Sequence, residues 1–370
     1  MKFRIKKRHA VLCALNAAAV IGSVILTAVG SSAASAQKYN FASNQWVGES
    51  KDSYAQLSCF LTDDSGFTTD SVANVRGQLL NELKNISVVP KENEKLCPDA
   101  YSAVYGKAMV RCDVMGRSEA ELTAVGGDFF MFHDFTLLDG SFFTESDVMQ
   151  DGAVIDRELA WSLYGSENVA GMNIYIDGVK CYIAGVVAPP KTDYEKKCIG
   201  KTPQAYISYD MADILSGGSY SEFGEVSGFD RITCYECIIP EPVENFGTSK
   251  MKSIFEMYGD NAQLVRNDGR FAPSKRAKEL KKLPSYAVRD NTIRFPWWEN
   301  ASRMTEFYLT YIYAARRILL AVPTLTAVWL FILLARLYYR KKPAMKAKLS
   351  RKAENLKYKL FSRKTKEDQQ

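Results

Sequence analysis

Ala10 to Val29 is a run of twenty residues without a charge. As a helix it is long enough to cross about 30 Å of hydrocarbon. Ile318 to Ala335 is a second uncharged run, of eighteen residues, with Arg316/Arg317 and Arg336/Arg340 at its ends and Tyr311, Tyr313, Tyr338 and Tyr339 at belt positions. Charge is distributed around the two runs in three blocks. Residues 2–8 carry five Lys/Arg, and Arg316 to the C-terminus carries fifteen Lys/Arg against three Asp/Glu. The stretch between holds 28 Lys/Arg and 39 Asp/Glu. Basic ends around an acidic middle predict a two-pass chain with both termini in the cytoplasm and residues of roughly 37–310 outside. The divisions expected are a basic N-terminus (1–9), a first span (10–30), an extracytoplasmic domain (37–295), a stalk helix (296–317), a second span (318–337) and a basic tail (338–370). Ala34-Ser35-Ala36 offers the alternative of a signal peptide cleaved after Ala36, but the apolar run exceeds the usual h-region of about 7–15 residues, which favours a retained helix. The tail abuts a span, so its expected partner is anionic membrane lipid and not nucleic acid.

Of eight cysteines, seven lie in the acidic middle, where export would permit disulfides. Cys97/Cys112 and Cys181/Cys198 are plausible local pairs, although spacing alone does not fix connectivity. Cys234-Tyr235-Glu236-Cys237 has CxxC spacing inside a strand-like run, so its sulfurs point to opposite faces and suit neither a zinc site nor a redox helix.

Local signals give the domain strands and short helices. Tyr54 to Leu61 reads as the first strand. Asp70 can cap a helix with Val72, Val75, Leu79 and Leu83 on one face. Tyr101–Val114 and Glu119–Val125 form a hairpin around Met115-Gly116-Arg117-Ser118. Gln37 to Lys51 reads as a polar connector, Lys91–Tyr101, Ala188–Thr202 and 271–295 as loops, and Ser216–Gly228 as mobile. Ala205–Tyr209, Ile232–Ile239 and Ala262–Arg266 read as strands, and Phe246–Tyr258 as a helix. Trp297 and Trp298 open the stalk helix behind Pro296, as packing or interface anchors. Strands and helices in this order give an α+β class: a mixed-sheet extracytoplasmic domain between two transmembrane helices.

The densest patterning runs from Leu137 to Val187. Leu137-Leu138-Asp139-Gly140 closes an apolar run. Ala153–Ile155 is a buried strand, and Asp156 caps a helix that stops at Gly165. Asn173–Ile176 and Lys180–Ile183 are alternating runs joined by Asp177-Gly178, the residues a type I′ turn needs. In order and spacing, Gly140, Phe143, Asp147, Ala160, Leu163, Tyr164, Gly165, Gly171, Ile174, Ile176, Gly178, Tyr182, Gly185 and Val186 resemble the extracytoplasmic core domain of MacB-like ABC transporter permeases. Val125, Phe129, Phe132, Leu137 and Gly140 extend the resemblance upstream. It implies a core domain between the first and second helices of a permease that works with a separate ATPase in export or extraction. Family members carry four helices, and this sequence carries two. The resemblance therefore implies a partner: an ABC ATPase, a permease subunit or a second copy.

Nothing in the residues adds catalysis. The two histidines are His9, at the N-terminus, and His133, whose neighbour Asp134 points away from it, so His133 reads as structural. There is no HExxH, G-x-S-x-G or GxxxxGK[ST] motif, so the chain reads as a non-enzyme without cofactor or metal that hydrolyses no ATP itself. Asp63-Asp64 and Glu241/Glu244 lie in polar loops and read as solvated. The competing expectation is an anchored extracellular binding or sensing module without transport activity. A thiol oxidoreductase acting through Cys234 and Cys237 ranks third.

Overall fold

The computed structural model describes residues 7–48, 53–89, 95–217, 219–221, 224–226, 228–282 and 292–367. Its contacts divide into two units, Met1–Gly30 with Ile312–Gln370, and Ser31–Tyr311.

The first unit holds most of α1 (Lys7–Ser35) and the greater part of the last helix, α10 (Trp297–Glu367). Both are long and apolar enough to cross a membrane, with mean hydropathy 2.2 over the first window and 2.5 over the second. They touch where α1 has no side chain. A Cβ at Gly30 would come 2.9 Å from the Tyr313 ring, and one at Gly22 would come 3.1 Å from Leu319. Glycine at such positions lets helices approach where no hydrophobic effect drives them together.

The second unit is built on a ten-stranded sheet. Its strands are β1 (Tyr54–Leu61), β2 (Asp99–Cys112), β3 (Arg117–Gly127), β4 (Leu137–Gly140), β5 (Gly152–Asp156), β6 (Asn173–Ile176), β7 (Val179–Val187), β8 (Gln204–Ser208), β11 (Cys234–Pro240) and β12 (Ala262–Arg266). A separate small hairpin is formed by β9 (Ser219–Ser221) and β10 (Gly224–Val226). Pairing along β2–β3–β8–β5–β7–β6 returns to β2, so six strands close a ring. The pairs β3/β8 and β5/β7 are parallel and the other four antiparallel, which makes the sheet mixed. A wing of β11, β1 and β12 extends from the first half of β2. Closure of the ring leaves the sheet edges at β12 and β4.

Two apolar layers follow from strand alternation. On β11, Tyr235, Cys237 and Ile239 enter the larger core, with Leu57, Cys59 and Leu61 of β1, α3 (Thr69–Asn85) and α8 (Phe246–Phe255). Cys234 and Ile238 enter the second core, with Phe60, Phe129, Phe132, Tyr206 and Trp298.

Several elements form where the sequence reads as loop or connector. The expected connector folds into a 3₁₀ turn (Lys38–Phe41) and α2 (Ala42–Val47), with Gln37, Tyr39, Asn40 and Ser43 buried. Residues 188–202 contain α6 (Asp193–Ile199), started by a Thr192/Glu195 capping box. Strand β8 runs directly into α7 (Tyr209–Leu215), and α9 (Pro273–Lys278) lies in the supposed loop 271–295. Parts of the readings for 37–51, 91–101, 216–228 and 271–295 fall on residues 49–52, 91–94, 218, 222–223, 227 and 283–291, which lie outside the described residues.

Candidate functional site

The patterned stretch folds as a frame. Asp177 and Gly178 both have positive φ, +47° and +94°, and turn β6 into β7. Gly140 and Gly185 pair across β4 and β7 at a close approach: a Cβ on Gly185 would lie 2.6 Å from the Ser141 carbonyl oxygen. Phe143 is buried in the second core, Gly165 ends α5 (Arg157–Tyr164), and Gly171 precedes β6. These residues shape a scaffold and bring no chemical groups together.

The disulfide expectation is overturned, since all eight cysteines are free. Each sulfur is turned to a different neighbour. The Cys112 thiol donates to the Leu163 carbonyl at 3.2 Å, Cys181 faces the Ile174 carbonyl, and Cys198 meets the Met304 sulfur at 3.5 Å. Cys97 is half-buried against the larger core. A disulfide needs two Cβ atoms about 4 Å apart and facing each other, which these orientations do not supply. Burial pushes the Cys97 and Cys181 thiols up to about 12 and raises Cys234 and Cys237 as well, which keeps them as inert thiols.

The residues that do converge are polar and buried. Strand alternation places Gln56 and Ser58 of β1 and Glu236 of β11 on the face of the second core. That face is covered by the connector, α4 (Phe129–His133) and the start of α10. His133 Nε2 lies 2.9 Å from Glu236 Oε2, its ring 4.5 Å from Trp298 and 4.2 Å from Phe129. Ser58 donates to Glu236 at 2.8 Å, and Asn267 donates to Ser58 at 2.8 Å. Arg270 continues the chain. It reaches Asn267 at 3.3 Å, Asn40 at 2.9 Å, Glu299 through two hydrogen bonds at 2.8 and 3.0 Å, and Glu306 at 3.1 Å. Burial opposes the Arg270 charge, and Glu299 and Glu306 outweigh that cost, so its pKa is raised. Arg303 and Arg276 share the same oxygens, Arg303 reaching Glu299 Oε1 at 2.8 Å and Arg276 reaching Glu306 Oε1 at 3.2 Å. Asn40 also donates to Ser302 at 2.8 Å. One buried network thus joins the residues that follow α1, the wing of the sheet and the first turns of α10. The sequence carried a signal for it: Gln56, Ser58 and Glu236 are polar residues at alternate positions of strands whose other positions are apolar.

Beside this network is a cavity of about 180 Å³ within the second unit. Lys38 and Tyr39 form one wall, His133 to Thr136 another, and the 187–195 segment with Ile199 a third. Asp156, Gln204, Tyr206 and Trp297 close it. Trp298 is 2 % exposed beneath the floor, while Trp297 is half-buried and meets Tyr39 edge-on at 6.4 Å. Asp156 accepts from the Leu159 and Gln204 N–H groups at 2.7 and 2.8 Å, yet burial raises its carboxyl to about 6. Among the described residues no group of three or more His, Cys, Asp or Glu side chains could hold a metal ion.

Residues 15–231 match the MacB-like periplasmic core domain. The chain belongs to that family. Domains of the MacB-like family are non-catalytic accessory parts of transport systems, and this member is a two-pass membrane protein with its mixed-sheet domain extracytoplasmic, between the two apolar helices. Among solved structures it is similar to the extracellular domain of the noncanonic ABC-type transporter YknZ from Gram-positive bacteria, at 14 % identity and TM-score 0.38, over 57 % of this chain and 99 % of that one. The periplasmic region of MacB from Actinobacillus actinomycetemcomitans aligns at 15 % identity and TM-score 0.34, over 58 % and 89 %. A domain of a permease-like protein from Porphyromonas gingivalis aligns at 10 % identity and TM-score 0.33, over 58 % and 90 %. No curated protein matches the chain.

Proposed function

We propose that this MacB-like protein is a membrane-anchored subunit of an ATP-driven export or extraction complex whose ATPase is a separate chain. In this reading residues 10–30 and 318–337 cross the bilayer, 296–317 is the stalk and 338–370 is the cytoplasmic tail. The observation that supports it most is the Arg270 cluster, which fastens the first turns of α10 to the extracytoplasmic body through Glu299 and Glu306. A buried, multiply bonded cluster resists shear, so displacement of those turns carries the body with them. The sequence has no phosphate-binding loop, which fits an ATPase carried on a separate chain. The partner in this reading is an ABC ATPase, a permease subunit or both, or a second copy of the chain.

The cavity supports a second reading, in which the domain binds or senses a ligand without transport. Purification from native membranes in mild detergent separates the two. Co-purification of an ABC ATPase or permease supports the first, and recovery of the chain alone, with ligand binding retained, supports the second.

A further inference from the structure

The segment from Ala188 to Thr202 reads as loop in the sequence and folds as a braced wall over the cavity. Helix α6 is capped at both Thr192 and Glu195. Its outer side rests on α10, where Tyr194 stacks on Tyr308 at 5.1 Å and the Cys198 thiol meets Met304. The wall is therefore formed before any ligand arrives, which lowers the ordering cost of binding.

The size and chemistry of the cavity select its occupant. At about 180 Å³ it exceeds slightly the ~150 Å³ that holds one benzene ring in an apolar interior. Tyr39, Phe135, Pro189, Pro190, Tyr206 and Trp297 offer mainly apolar surface. The three carboxylates at its lining are already engaged. Asp134 is paired with Lys38 at 2.6 Å, Asp156 holds two backbone N–H groups, and Glu195 accepts from the Thr192 N–H at 3.0 Å. Asp134 is neutralised by its ion pair, and Asp156 and Glu195 are each turned to backbone donors of the protein. Lys191, at the rim, is exposed and has no ion pair among the described residues. Behind it α6 adds exposed Lys196 and Lys197 against one exposed acid, Asp193.

We infer that this cavity binds an anionic amphiphile, with the apolar end lodged between Trp297, Tyr206 and the Pro189-Pro190 pair and the acidic head held by Lys191. An acyl chain with a carboxylate or phosphate head has this chemistry, whether it comes from solution or from the bilayer.

The test uses the full chain in phosphatidylcholine nanodiscs, titrated with 6-bromohexanoate, short enough for the cavity, while tryptophan fluorescence is recorded. The expected result is a saturable quenching step that Trp297→Phe lacks and that Lys191→Glu shifts to about tenfold higher concentration. The 6-bromohexyl trimethylammonium cation, of the same chain length, should give only the non-saturable background. A second arm places brominated phosphatidylglycerol in the discs. Trp297-dependent quenching there assigns the bilayer as the source, and its absence beside a positive first arm assigns a soluble one. No saturable step in either arm, a cation that binds as well as the acid, or an unchanged Lys191→Glu titration would overturn the inference. The acid-against-cation comparison needs no variant, and Lys191 is at the surface, so loss of folding does not confound the result.

Discussion

Arg270 grips Glu299 as a fork, Nη1 to Oε2 at 2.8 Å and Nη2 to Oε1 at 3.0 Å, with both side chains less than 5 % exposed. Bidentate geometry of this kind is specific to guanidinium and cannot be reproduced by an ammonium. Asn40 and Glu306 complete the shell, so one side chain bonds to segments separated by more than 260 residues in sequence.

Arg270→Met leaves Glu299 and Glu306 buried with one arginine each, from Arg303 and Arg276. Removing one partner from a buried ion cluster costs about 3–5 kcal/mol, and the remaining arginines place this case at the lower end. Arg270→Lys keeps the charge without the fork and should fall between wild type and Arg270→Met. Thermal unfolding of the full chain in detergent reads the order; equal midpoints for all three would show that the cluster is dispensable.

Asp156 sets a pH dependence of definite sign. Its folded-state carboxyl sits at about 6, raised by burial from the ordinary 3.8. The native state therefore binds this proton more tightly than the unfolded chain. The stabilisation is fully present below about pH 4 and is lost as pH rises through 6. The difference in midpoint between wild type and Asp156→Asn isolates this group from other carboxylates. Wild type should lose ground to the variant between pH 4 and pH 7.5, and a flat difference would contradict the burial assigned to Asp156.

Eight free thiols make a direct mass prediction. The chain is unfolded without reductant, alkylated and weighed intact. The expected product carries eight additions. A product with six would restore one disulfide to the domain.

The sequence was most informative where the cause of structure is local. Tyr54–Leu61 has the limits of β1 because it is an eight-residue run with apolar side chains on both faces and polar ones only at Gln56 and Ser58, and Asp177-Gly178 marks its turn because few residues tolerate two positive φ angles. The Asp156 cap and the Gly165 stop of α5 are visible for the same reason. Helix α6 reads as loop although Thr192 and Glu195 spell a capping box, because Pro, Lys and Asp around them favour a loop. The polar cluster was not legible as a site. Gln56, Ser58 and Glu236 have the pattern of a solvated strand face, and only the coverage of that face by Tyr39, Trp298 and Glu299 turns them into an interior network. Cysteines in an exported domain are permitted to pair, but pairing is decided by where each Cβ points, which spacing does not specify.

The place of β1 in the sheet has a consequence in time. Both of its neighbours, β11 and β12, come from the far end of the domain, with Tyr54 opposite Pro240 and Leu57 opposite Arg266. A strand delivered first across the membrane must wait until residue 266 has followed it. At ribosomal rates of about 5–20 residues per second that interval is roughly 10–40 s. Throughout it Ala55, Leu57, Cys59 and Leu61 lack the part of their core that β11, β12 and α8 supply. The earliest strand of this domain is thus its longest-lived unfolded one, and slow translation or a stalled export channel would tell there first.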